Sequence, residues 1–160
     1  MGLLARLFTG KTTNAPNADI SDYSALREVM TLQVLPAFEP LRSSLQELHT
    51  SIEHKRGEVG VKTWQAMASE LGQIQGVLGK FQEQIPTFVN IKVKESSQVT
   101  AEGLRQLQAA VHVILKETEH TKGYRILAVE EKALILDTIK VAQTRMAKMM
   151  EHWQTFNGNY

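Results

Sequence analysis

WQAMASELGQIQGVLGKFQEQI, residues 64–85, decides the fold. Trp64, Met67, Leu71, Ile74, Leu78, Phe81 and Ile85 recur in alternating steps of three and four residues, a spacing that puts all of them on one face of an α-helix. An unbroken run of this kind is a coiled-coil-type seam that must be covered by other helices, from the same chain or from a second copy. Beside the seam, Ala68, Gly72, Gly76 and Gly79 form a small-residue stripe. An internal helical glycine costs about 0.8–1 kcal/mol relative to alanine. Close approach of a neighbouring helix or a bulky side chain to the bare backbone would offset that cost. The other reading of the stripe is a loosely specified helix.

Working outward from the seam, the pattern stays helical in both directions. Upstream, Ser21 or Asp22 can cap a helix that carries Leu26, Met30, Val34, Ala37, Leu41, Leu45, Leu48 and Ile52 and ends near Gly57. Pro36 and Pro40 interrupt it, which predicts a kink or a break into two pieces. Downstream, Pro86 stops the seam helix. Residues 88–94, FVNIKVK, then alternate apolar and polar residues as a short strand would. A lone strand cannot satisfy its own backbone, so a connector or the start of the next helix is the preferred reading. A third helix is expected to begin between Ser96 and Thr100, capped by their hydroxyls, and to carry Leu104, Leu107, Val111 and Ile114 inward. It should fray near residues 121–123. From about Tyr124 a last helix presents Ile135, Ile139, Ala142, Met146, Met149 and Trp153, with Leu134 and Leu136 widening the stripe.

The fold class that follows is all-α: an antiparallel up-down bundle of three to four long helices on the order of 40 to 50 Å in length. Ahead of it stands a short tethered amphipathic segment. The chain divides into a docking segment over 1–11, a flexible linker over 12–20, the bundle over 21–156 and a tail over 157–160. At 160 residues with 42% hydrophobic content, one domain has enough apolar material for a continuous core.

Composition removes several function classes. Eighteen basic residues against 17 acidic ones leave a net charge of +1, so overall electrostatics give no reason to expect nucleic acid as the main partner. With no cysteine, disulfides, thiolate metal sites and cysteine nucleophiles are excluded, and the chain is compatible with a reducing cytoplasm, where it is expected to reside. No apolar run approaches the roughly 20 residues of a membrane span. The opening MGLLARLF is too short for a signal peptide, and Arg6 stands where an N-myristoylation signal carries serine or threonine. Phosphate-binding loops, dinucleotide fingerprints, nucleophile elbows and zinc-protease motifs do not occur. The expectation is therefore a non-enzyme without a cofactor.

Three residues lead the search for a metal. Glu117 and His120 have the Glu-x-x-His spacing of carboxylate-bridged di-iron bundles, but the motif occurs once where such a site needs two copies and two further inward glutamates. His49 and Glu53 lie one turn apart and can pair along one surface, while the adjacent His54 points about 100° away. His112 and His152 read as boundary residues. Lys132, Lys140, Arg145 and Lys148 raise a nucleic-acid reading for the last helix, diluted by Glu130, Glu131, Asp137 and Glu151.

The best-defined binding element is N-terminal. Leu3, Leu4, Leu7 and Phe8 share one helical face, Arg6 lies off it, Lys11 follows, and no acid precedes Asp19. A basic amphipathic segment on a tether suits the surface of an anionic membrane or a hydrophobic groove on a protein. Four large side chains insert weakly by themselves, which places a protein partner slightly ahead of lipid. The sequence thus predicts an adaptor or assembly component that binds partner proteins, is able to form a homodimer through its seam, and docks on a larger complex or a membrane. The competing classes are a ferritin-like metal-binding enzyme and a weak nucleic-acid accessory protein.

Overall fold

Each helical stretch finds its apolar face covered by two neighbours, so the sequence closes into a four-membered antiparallel bundle. The computed structural model describes residues 18–54, 58–85, 91–120 and 124–158. Its elements are α1 (Ala18–Val29), a π-helical turn (Met30–Val34), α2 (Leu35–His54), β1 (Glu58–Gly60), α3 (Val61–Glu83), α4 (Ile91–Glu119), β2 (Tyr124–Ile126) and α5 (Val129–Gly158). α1, the π-turn and α2 run on as one helical member, because the backbone at Val29 and Leu35 keeps α-helical angles. No described helix is long and apolar enough to cross a membrane.

Cross-helix hydrogen bonds fix who neighbours whom. Ser44 donates to Glu70 between α2 and α3, Gln75 and Gln82 donate to the carbonyls of Ala101 and Ser97 between α3 and α4, and Thr100 donates to the Arg145 carbonyl between α4 and α5. Gln143 donates to Gln46 and closes the ring between α5 and α2. Gln75 and Gln82 of α3 meet Ala101 and Ser97 of α4 in reverse order, residue numbers rising on one helix as they fall on the other, which is the up-down arrangement expected from short connections. α5, at 30 residues, is about 45 Å long.

The core runs the length of this ring. Trp64, Leu71, Leu78 and Phe81 of α3 are fully buried, as are Phe38, Leu45 and Ile52 of α2, Leu104, Leu107 and Val111 of α4, and Ile139, Ala142 and Met146 of α5. Each large apolar side chain sealed this way contributes about 1.5–3 kcal/mol relative to exposure. Phe81 and Trp153 cross the core edge to face with centroids 6.0 Å apart, and Phe156 lies 5.4 Å beyond. Ser97, Thr100 and Thr118, the buried polar residues among those described, donate to the carbonyls of Lys94, Arg145 and Ile114. Leu134 departs from the predicted stripe and stays exposed at 64%.

The π-turn explains how Pro36 fits into a continuous helix, while Pro40 is carried inside α2 itself. Leu35 N–H reaches the carbonyl of Met30 instead of the one four residues back. This widened turn sits directly before Pro36, where the missing N–H and the ring would otherwise disturb the preceding turn. It also corrects the phase. Leu26, Met30, Val34 and Phe38 follow one another in steps of four, and in a pure α-helix three such steps would carry the stripe about 120° around the axis. All four are nonetheless fully buried.

Several boundaries differ from expectation. α1 begins at Ala18, so the linker predicted over 12–20 is helical at its end. α4 begins at Ile91, and Ser96 and Ser97 are not caps: inside the helix their hydroxyls donate to the carbonyls of Val93 and Lys94. Tyr124 opens a strand instead of a helix, and α5 continues to Gly158, into the predicted tail. β1 and β2 pair antiparallel, Glu58 opposite Ile126, Val59 opposite Arg125 and Gly60 opposite Tyr124, clasping the α2–α3 and α4–α5 connections at one end of the bundle. The Glu131 carboxylate then accepts the Ala128 N–H and caps α5.

Candidate functional site

The residues singled out by the heptad spacing are structural within one chain. Trp64, Met67, Leu71, Ile74, Leu78, Phe81, Met146, Met149 and Trp153 all lie in the chain's own core, none more than 5% exposed. The seam is thus covered without a second copy. Gly72 and Gly76 are exposed and take no part in it. A Cβ at Gly72 would meet only the Gln108 side-chain amide at 3.8 Å, and one at Gly76 or Gly79 would meet nothing within 4 Å. The close helix approach expected at this stripe is not made at its glycines, although Ala68 packs against the core.

The metal candidates do not converge. Glu117 and His120 are exposed at the end of α4, whose last turn is closed by the His120 N–H donating to the Glu117 carbonyl. His49 Nδ1 lies 3.2 Å from Glu53 Oε1 on the surface of α2. Among the described residues, no group of three or more histidines and carboxylates is placed to hold a metal ion. The docking segment with Leu3, Leu4, Arg6, Leu7, Phe8 and Lys11 lies outside the described residues.

Among the surface grooves, two that lie between neighbouring helices differ in sign. The groove between α2 and α3, about 360 Å³, is lined by Glu47 and Glu70 with the hydroxyls of Ser44, Ser51 and Thr63, and by Lys62. Ser44 donates to Glu70 Oε2 at 3.0 Å, while Glu70 Oε1 is buried without a partner.

The groove between α4 and α5, about 380 Å³, carries Lys92, Arg145 and Lys148 against a single lining carboxylate, Glu95. Val99 forms apolar wall, and His152 lies toward the end of α5. Arg145 is anchored here from both ends: its carbonyl accepts the Thr100 hydroxyl at 3.0 Å, and its Nη1 donates to the Val99 carbonyl at 3.2 Å. Its aliphatic stem lies over Gly103, where a Cβ would stand 3.0 Å from Arg145 Cδ and 3.1 Å from Nη1. A side chain at 103 would require the Arg145 side chain to shift.

Known proteins offer no guide to either groove. No protein family, curated protein or solved structure matches the chain. The site must be judged on its own chemistry.

Spacing did not reveal the Arg145–Gly103 contact. Arg145 reads as one charge on a mixed outer face, and Gly103 as an ordinary residue next to Leu104. The available signal was phase: Gly103 adjoins the inner stripe on the flank that turns toward α5. The nucleic-acid reading of α5 finds no exposed ring at Trp153 or Phe156, both of which are buried. Its four cations do not form one stripe: Arg145 and Lys148 line the groove, and Lys132 and Lys140 lie outside it.

Proposed function

We propose that this chain is a non-enzymatic helical adaptor or assembly component: its bundle binds partner proteins, and residues 1–11 dock it on a larger complex or membrane surface. The observation that carries the reading is the closed interior. The apolar seams of α2, α3, α4 and α5 are all used within one chain, and the three buried hydroxyls are each bonded to a helix carbonyl. Apart from the Trp64 indole N–H, which is buried without a partner among the described residues, the polar groups available to a ligand belong to the outer surface and the grooves. A binding role needs only that surface, with a rigid rod to hold it.

The basic amphipathic segment supplies the means of docking. Leu3, Leu4, Leu7 and Phe8 on one face, with Arg6 and Lys11 off it, match a short element that gains its affinity from burial in a groove or interface. The test compares full-length protein with a version lacking residues 1–11, by pull-down and by vesicle co-sedimentation, after light scattering has fixed the oligomeric state of both. Loss of a protein partner or of sedimentation on truncation supports the reading and names the target class. Identical behaviour of the two proteins would defeat it.

A further inference from the structure

We propose that the α4–α5 groove receives the phosphate of an anionic phospholipid headgroup, Arg145 and Lys148 acting as its cationic grips. The inference rests on the N-terminal docking reading for its orientation, and it selects a membrane as the surface. Its chemistry rests on the groove alone.

Arg145 is a cation in search of an anion. Its side chain is half-buried, yet among the described residues no carboxylate lies within 4 Å of it. A guanidinium has five N–H donors, and the hydrogen bond that Arg145 makes with its side chain goes to the Val99 carbonyl. A partly desolvated guanidinium whose remaining donors face an open groove is matched by a phosphate oxygen, which forms charge-assisted bonds to it. The arginine is also preorganised. Gly103 leaves the space its stem occupies, and the bond to Val99 holds its head, so little side-chain entropy is left to lose on binding.

The surroundings reinforce the charge. Lys92 and Lys148 line the same groove, as does the Thr144 hydroxyl, and Glu95 is the acid among its lining residues. Glu151 approaches Lys148 from outside at 3.7 Å, an exposed contact that a doubly coordinated phosphate outcompetes. The groove is open, with Val99 on its wall. Such a shape does not enclose a small free ion, but it admits a headgroup presented from a surface.

Position decides between a lipid and a soluble phosphate. Arg27 of α1 donates to Asn157 near the end of α5 at 3.0 Å, so the chain ahead of Ala18 leaves from this end of the bundle. Arg145 and Lys148 lie about 18 and 13.5 Å along α5 from Asn157 by helical rise. Residues 12–17 can span roughly 20 Å when extended, about the width of two packed helices, so the docking segment can reach the surface on which a bundle lying along its α4–α5 side would rest. One weak apolar anchor gives marginal membrane binding, and stable binding takes a second signal. The groove supplies that second signal.

The experiment is co-sedimentation of the full chain with vesicles of phosphatidylcholine alone and of phosphatidylcholine mixed equally with phosphatidylglycerol, with thermal melting to check each fold. Each cation near an anionic surface accounts for about five-fold in partitioning. Arg145→Gln with Lys148→Gln should therefore weaken binding to the anionic vesicles about twenty-five-fold and leave the weak binding to neutral ones unchanged. Gly103→Leu keeps the net charge but displaces Arg145, and should show a loss similar to Arg145→Gln alone. Lys62→Gln, in the α2–α3 groove, should show much less. If the groove variants partition like Lys62→Gln, the proposal is overturned. It is equally overturned if inorganic phosphate raises the melting temperature in an Arg145-dependent way while anionic vesicles ignore the groove variants, since the groove then takes a free anion. Deletion of residues 1–11 separates the two readings: binding that survives it but still depends on Arg145 sinks the docking segment and keeps the groove, and binding lost on deletion but indifferent to Arg145 does the reverse.

Discussion

Gly76 and Gly103 are both helical glycines, and they serve opposite ends. Gly76 belongs to a conspicuous stripe with Gly72 and Gly79, yet it stands open, with nothing within 4 Å of where its side chain would be. Gly103 belongs to no stripe, and it is the buried one, covered by the stem of Arg145. The lesson is that a glycine's use is set by what packs over it. Its spacing along the helix reports only that the backbone is bare. The same contrast divides α3 itself, where Leu71 faces the core and the adjacent Gly72 faces out.

The largest test of that contrast sets the two faces of α3 against each other. Leu71→Asp places a carboxylate in a sealed apolar site and should cost more than about 4 kcal/mol, a large part of the stability of a domain this size, so cooperative thermal unfolding should disappear. Gly76→Asp, on the outer face, should shift stability by no more than about 0.5 kcal/mol. Equal damage from both would mean that the outer face of α3 is covered after all. The next test exchanges size for charge at position 103. Gly103→Leu must displace Arg145 and should cost about 1–3 kcal/mol, read as a lowered urea midpoint. The smallest effect is the sharpest: Gly76→Ala should stabilise by about 0.8–1 kcal/mol, raising Tm by roughly 2–4 °C, because it gains helix propensity and meets no neighbour. Gly103→Ala should show no such gain. A rise in Tm at both positions would remove the distinction between them.

Much of the fold was legible because it is local. The three-and-four spacing from Trp64 to Phe81 requires no knowledge of the partner helix to place those residues inward, and the structure buries every one of them. Pro36 likewise announced a disturbance, though its form, a π-turn that restores the phase of Phe38, depends on where the core lies. The start of α4 was misplaced because Val93 suits either an alternating strand or a helical stripe, and Ser96, Ser97 and Thr100 are good caps that here bond to carbonyls instead. The β1–β2 clasp pairs segments far apart in sequence, each of three residues, too short for any period to register. The groove was out of reach for the same reason: Arg145 meets Gly103 and Val99 only once α4 and α5 are in register.

The clasp also sets the order in which the rod would give way under tension. β1 and β2 tie two connections together at one end, whereas α1 enters and α5 finishes at the other, joined there by Arg27 and Asn157. A pull applied through the start of α1 and resisted at the end of α5 would work on the helices as a zipper opened from its free side. It meets one side-chain bond first, then the apolar layers one at a time, and the ribbon last. A bundle tethered at that end would yield gradually, and the paired strands would keep its two halves together until the final step.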